Sequence, residues 1–208
     1  MAHISHEVRS LQVNEMYNDS QDSMELLKKN YVNNSEIISE SNNSPPFLTM
    51  EREIVSFLKE NGYNFGATFP CSRLSNLFDL LENEEEIQIV PLTREEEGIG
   101  ICAGAYMAGK KPFMLIQSSG LGNSFNAIAS LLKTYRIPLL ILVSYRGYHN
   151  ERILAQIPLG QSIPGMLDAM KVPFIILNDG TDRLETFCKK METTPHVVLL
   201  SPEMLGNA

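Results

Sequence analysis

Val90-Pro91-Leu92-Thr93-Arg94-Glu95-Glu96-Glu97-Gly98-Ile99-Gly100-Ile101-Cys102-Ala103-Gly104-Ala105-Tyr106 is the stretch on which the reading of this chain turns. An apolar run ends in a threonine and three consecutive carboxylates. The segment that follows consists of Gly, Ala, Ile and Cys. Small side chains let a second backbone come close. A helix acidic at its mouth and uncharged along its body reads as one packed at an interface. Thr93-x-x-Glu96 matches a capping box, with the Glu96 carboxylate reaching back to the Thr93 amide. Three glutamates in a first turn also favour the helix dipole. The same carboxylates lie where a strand hands over to a helix.

Outward from this stretch, apolar runs alternate with helical segments. Thr49 can cap a helix whose apolar face is Ile54, Val55, Phe57 and Leu58. Strands are expected at 65–69, 87–92, 113–117, 138–143, 173–177 and 196–200. Helices are expected at 73–81, 93–108, 123–133, 164–171 and 181–191, the last capped by Thr181. Gln117 to Asn123 reads as a small-residue loop and Ser144 to Gln161 as a long one. Strands apolar on both faces and separated by helices imply a sheet covered on both sides. The fold class is therefore α/β, three layers, doubly wound, around a six-stranded mainly parallel sheet. In such sheets ligands sit beyond the carboxyl ends of the strands.

Residues 1–48 differ in being rich in Asn, Ser and Glu, and Asn42-Asn43-Ser44-Pro45-Pro46 is a strong breaker. The expected organisation is a flexible or partner-docked tail over 1–48 and one globular domain over 49–208. The net charge of -8 and a pI near 5.0 exclude the basic stripe of a nucleic-acid binder. Three cysteines without a CxxC argue against a disulfide framework or a zinc site and fit a reducing cytoplasm. No N-terminal apolar leader and no membrane-length apolar run is expected.

Three motifs now converge. Glu96 is followed by Gly98, Ala103 and, ten residues on, Tyr106. Gln117-Ser118-Ser119-Gly120-Leu121-Gly122-Asn123 follows the third strand, and Pro70-Cys71-Ser72 the first. Together they resemble the pyrimidine-binding (PYR) domains of thiamine-diphosphate enzymes over about residues 50–200. Thr93 to Gly98, Ile101 to Tyr106 and Ala155 to Gly160 narrow the resemblance to the 2-keto acid decarboxylases. It implies a thiamine-diphosphate-dependent carboxy-lyase. Glu96 would be the catalytic residue, hydrogen-bonded to N1′ of the aminopyrimidine. Pro70, Gly120, Leu121 and Asn123 would line the cofactor with it. Cys71, Ser72, Gln117, Ser118 and Ser119 would lie next to the substrate. The family's Gly-Asp-Gly metal motif is missing, since Asn178-Asp179-Gly180 reads as a turn. No metal is therefore expected on this chain. A second subunit, a beta chain carrying the diphosphate-binding domain and Mg2+, is expected in a hetero-oligomer.

Other residues stay open. His149, Arg146 and Arg152 lie in the long loop, where a solvated surface role competes with contact to an anionic substrate. The sheet alone also fits a non-catalytic, flavodoxin-like binding module. The carboxylate at the head of a small-residue helix is what favours an enzyme.

Overall fold

The computed structural model describes residues 46–205 apart from 150, 190 and 192, with side chains from Met50 onward. The tail expected over 1–48 therefore lies almost wholly outside the described residues. Helix α1 spans Pro46–Glu60, so Thr49 sits inside it and does not cap it. Proline fits a first helical turn, where its missing N–H has no partner to lose.

The remaining elements are β1 (Phe65–Thr68), α2 (Ser75–Glu82), β2 (Gln88–Pro91), α3 (Glu95–Met107), β3 (Pro112–Gln117) and α4 (Ser118–Ala127). After them come β4 (Leu140–Ser144), α5 (Ile157–Ala169), β5 (Phe174–Leu177), α6 (Asp182–Cys188) and β6 (His196–Leu200). The six strands form one sheet in the order β2-β1-β3-β4-β6-β5, parallel at every pairing. β2 is an edge, which explains how it tolerates Pro91.

Side chains alternate across the central strands and divide the core into two layers. Phe113 and Leu115 of β3, with Leu140 and Leu142 of β4, meet Ile54 and Leu58 of α1, Leu77 and Leu81 of α2, and Leu184 of α6. Met114, Ile116, Ile141 and Val143 face the other way, onto Ile99 and Cys102 of α3, Leu121 and Phe125 of α4, and Ile163 and Leu167 of α5. Each fully buried Leu or Ile contributes about 1.5–3 kcal/mol.

Two boundaries differ from expectation. Gln117–Asn123 is not a loop: α4 begins at Ser118, directly after β3, and continues beyond Ala127 as a π-helical turn over Ile128–Lys133. α5 begins at Ile157, with Pro158 in its first turn and Pro164 inside it, seven residues ahead of the expected start. The glycines that read as breakers leave space for neighbours: Gly120 and Gly122 for the Glu95 and Leu159 side chains, and Gly160 for the backbone of Arg146 and Gly147.

Candidate active site

Parallel strands bring Thr68, Pro91, Gln117 and Ser144 to one edge of the sheet, and the loops there carry most of the polar residues singled out above. Three consecutive helical residues point about 100° apart, so the three glutamates of α3 meet three environments. Glu97 is the capping residue. Its Oε1 accepts the Thr93 N–H at 2.6 Å, the Thr93 hydroxyl at 2.8 Å and the Arg94 N–H at 3.1 Å. These donors hold its carboxyl below the usual range. The box expected for Glu96 thus belongs to Glu97, because α3 starts at Glu95 rather than at Thr93. Glu96 turns outward; its side chain is 42% exposed and lies 3.6 Å from the Arg94 guanidinium.

Glu95 turns inward. It is 8% exposed and has no hydrogen-bond or ion-pair partner among the described residues. It rests on the first turn of α4: a methyl group on Gly120 would stand 2.6 Å from Glu95 Oε1 and 2.7 Å from its Cδ. Gly120 is therefore a cradle for this carboxylate. The sequence reading did not single out Glu95; helical phase is the signal that could have done so, since Glu95, Ile99 and Cys102 share the buried face.

The other expected residues scatter. Ser118 is fully buried and ties strands together. Its Oγ donates to the Ser144 carbonyl at 3.2 Å and accepts the Arg146 N–H at 2.9 Å. Gln117 and Ser119 are half-buried at the mouth. Leu121 is wholly buried in the core, and Asn123 is exposed on the second turn of α4. Pro70 and Ser72 are exposed and Cys71 is buried.

In the loop after β4, Arg152 is exposed. His149 is exposed too, stacked on Tyr148 and 3.5 Å from Glu203. Arg146 is not a surface charge. It is buried in a bidentate pair with Glu151, a carboxylate the sequence did not single out. Among the described residues no group of three His, Cys, Asp or Glu could hold a metal ion. A cavity of about 690 Å³ lies between α1 and the start of α6, lined by Arg52, Glu53 and Glu185 among others, away from Glu95. No helix is long and apolar enough to cross a membrane among the described residues.

Residues 48–172 match the family model of the thiamine pyrophosphate enzyme, N-terminal TPP binding domain. The chain is 51% identical over 120 residues to a Methanocaldococcus jannaschii protein named sulfopyruvate decarboxylase subunit alpha, covering 58% of this chain and 71% of that one. It is 48% identical over 127 residues to the Methanococcus maripaludis protein of the same name, covering 61% and 76%. A longer Methanosarcina acetivorans protein named sulfopyruvate decarboxylase is 44% identical over 160 residues, which is 74% of this chain and 40% of that protein. The chain thus spans less than half of that relative. Among solved structures, the 2-oxoglutarate:ferredoxin oxidoreductase of Magnetococcus marinus superposes with a TM-score of 0.53 at 15% identity. The match covers 76% of this chain and 28% of that one, a likeness of fold.

Proposed function

Because the chain belongs to the thiamine pyrophosphate enzymes, through their N-terminal TPP binding domain, we propose that it is the alpha subunit of a two-chain sulfopyruvate decarboxylase. The reaction converts sulfopyruvate to sulfoacetaldehyde and carbon dioxide, a step of coenzyme M biosynthesis in the methanogen cytoplasm. The observation that carries this reading is Glu95, a buried carboxylate without a partner, cradled by Gly120 at the carboxyl edge of the sheet. Glu97, by contrast, is held by three donors at the start of α3.

The residues present fit the aminopyrimidine side of thiamine diphosphate. Gly120 leaves the space, and Glu95 offers an oxygen able to share a proton with a ring nitrogen. Bound cofactor supplies an electron sink for the pair released as the carboxylate leaves. This chain's part is to present Glu95 Oε1 or Oε2 as the oxygen through which a proton is passed on and taken back. We therefore place with Glu95 the role expected of Glu96. Positioned proton transfer of this kind contributes about 10²–10⁴-fold in rate.

The diphosphate grip and Mg2+ are assigned to a beta subunit. Two facts support this. The relatives named subunit alpha are of similar reach, while the Methanosarcina relative carries the matched segment on a chain more than twice as long. In addition, α3 keeps an open face: Ile101 and Met107 are exposed, and a methyl group on Gly100 or Gly104 would meet nothing within 4 Å.

Phosphonopyruvate is the second substrate to consider, since a Streptomyces viridochromogenes protein named phosphonopyruvate decarboxylase is 32% identical over 135 residues. The test is co-expression with a beta chain and measurement of carbon dioxide and aldehyde from each keto acid, with thiamine diphosphate and Mg2+. Turnover of sulfopyruvate is expected; turnover of phosphonopyruvate alone would transfer the reading to that substrate.

A further inference from the structure

The loop after β4 is built to hold one guanidinium still. Gly147 has φ +79, and its backbone packs directly on α5. A methyl group there would stand 2.8 Å from the Gly160 Cα, and one on Gly160 would stand 2.6 Å from the Gly147 Cα. The Arg146 N–H is held by Ser118 Oγ. Its side chain then meets Glu151 edge-on: Nε to Oε2 is 2.7 Å and Nη2 to Oε1 is 3.1 Å. Glu151 has no capacity to spare, because it also accepts the N–H of Gly147 at 3.2 Å and of Ile153 at 3.1 Å. These contacts, Arg146 first, pull its carboxyl down to about 2. The Arg73 Nη2 stands 4.0 Å from the same Oε1.

A guanidinium carries five N–H donors in a planar fork. An Nε/Nη2 pair with Glu151 leaves Nη1 and the second Nη2 hydrogen outside the pair, on a side chain that keeps 7% of its surface exposed. The Cys71 thiol lies beside it. Arg146 therefore reaches from the end of β4, across the end of β3, to the residue that follows β1. Glu95 reaches the same mouth from the end of β2. Such a locked fork loses little side-chain freedom when it takes a planar or tetrahedral oxyanion.

We propose that Arg146, oriented by Glu151 and with Arg73 beside it, binds the terminal sulfonate of the substrate and so selects a keto acid with a second acid group. This rests on the function proposed above. A sulfonate is ionised at every physiological pH, so an always-charged fork suits it. Glu151 is a positioning residue: it fixes the plane of Arg146 and does not touch the substrate.

The test uses the two-chain enzyme, wild type and with Arg146→Lys, Arg146→Gln or Arg73→Gln. Turnover is measured on sulfopyruvate and on pyruvate, which lacks the sulfonate. In parallel, the Tm of each complex is recorded with and without 3-sulfolactate, an unreactive sulfonate, against lactate. KM for sulfopyruvate should rise at least 10-fold in the Arg146 variants while kcat/KM for pyruvate changes less than 3-fold. Sulfolactate should raise the wild-type Tm and leave the Arg146→Gln Tm unmoved. Parallel losses on both keto acids, or a sulfolactate shift that survives Arg146→Gln or is absent from the wild type, would overturn the proposal. If Arg146→Gln does not fold, Arg146→Lys carries the same comparison, since it keeps the charge and loses the fork. A wild-type enzyme that decarboxylates neither keto acid but shows the Arg146-dependent Tm shift would sink the proposed reaction and leave the anion site standing.

Discussion

Glu95, Glu96 and Glu97 are chemically identical and adjacent, yet α3 gives each a different task. Glu95 packs against Gly120 of α4, Glu96 meets solvent and Glu97 caps the helix. Glu95→Gln in the two-chain enzyme should lower kcat at least about 10²-fold with little change in Tm. Glu96→Gln should stay within a few-fold of wild type. Glu97→Gln should act mainly on stability. Its folded pKa is depressed, so its contribution is present above the ordinary carboxylate pKa and is lost as pH falls through the folded value. Thermal melts of the three variants at pH 7 and pH 4, alongside rates, separate the roles; a silent Glu95→Gln would remove the catalytic assignment. Gly120→Ala offers a second check. Alanine in a helix interior is ordinarily more stable than glycine by about 0.5–1 kcal/mol. Here the added methyl meets Glu95, so the rate should fall at least about 10-fold without a matching loss of Tm.

Among the elements, α1 holds a group with no place in the chemistry. Glu51 is fully buried, and neither oxygen has a partner in hydrogen-bond geometry. Burial pushes its carboxyl up to about 7, and nearby Asn76 offsets this only in part. The folded state therefore binds this proton more tightly than the unfolded chain. Stability is full below pH 4.5 and declines as pH rises toward 7, by about 3 kcal/mol in all. Glu51→Gln should abolish that decline. The variant should gain about 5–10 °C over wild type on going from pH 4.5 to pH 8, read as a difference between melts; equal pH dependence in both proteins would refute it. The elements also show where sequence signals fail. α4 was hidden because Ser118, Ser119, Gly120 and Gly122 have low helix propensity. Gly120 makes room for Glu95 and Gly122 for Leu159, and tertiary packing overrides propensity at both. In the sequence Pro164 reads as a helix start, whereas in α5 Pro158 fills that role.

On the scale of the whole molecule, one sheet edge carries Glu95, Ser118, Arg146 and Cys71, while α3 leaves a face uncovered. The isolated chain with thiamine diphosphate and Mg2+ should release no carbon dioxide from sulfopyruvate, and adding the beta chain should restore it. Met107→Asp, on an 79% exposed side chain of α3, should weaken association at least about 10-fold in a titration of one subunit with the other. It should leave the Tm of the isolated chain unchanged; unaltered affinity would place the partner elsewhere. The sequence by itself determined the α/β class, the six strands and the thiamine-diphosphate family, because two-sided apolar runs and a Glu/small-residue helix are local patterns. Only the tertiary structure separated Glu95 from its neighbours, since successive residues of α3 point about 100° apart and the sequence does not say which of them faces α4. Only the structure, too, joined Arg146 to Glu151, Arg73 and Cys71. Those contacts cross from the β4 loop to the β1 loop, and no periodicity along the chain encodes which loops a parallel sheet sets side by side.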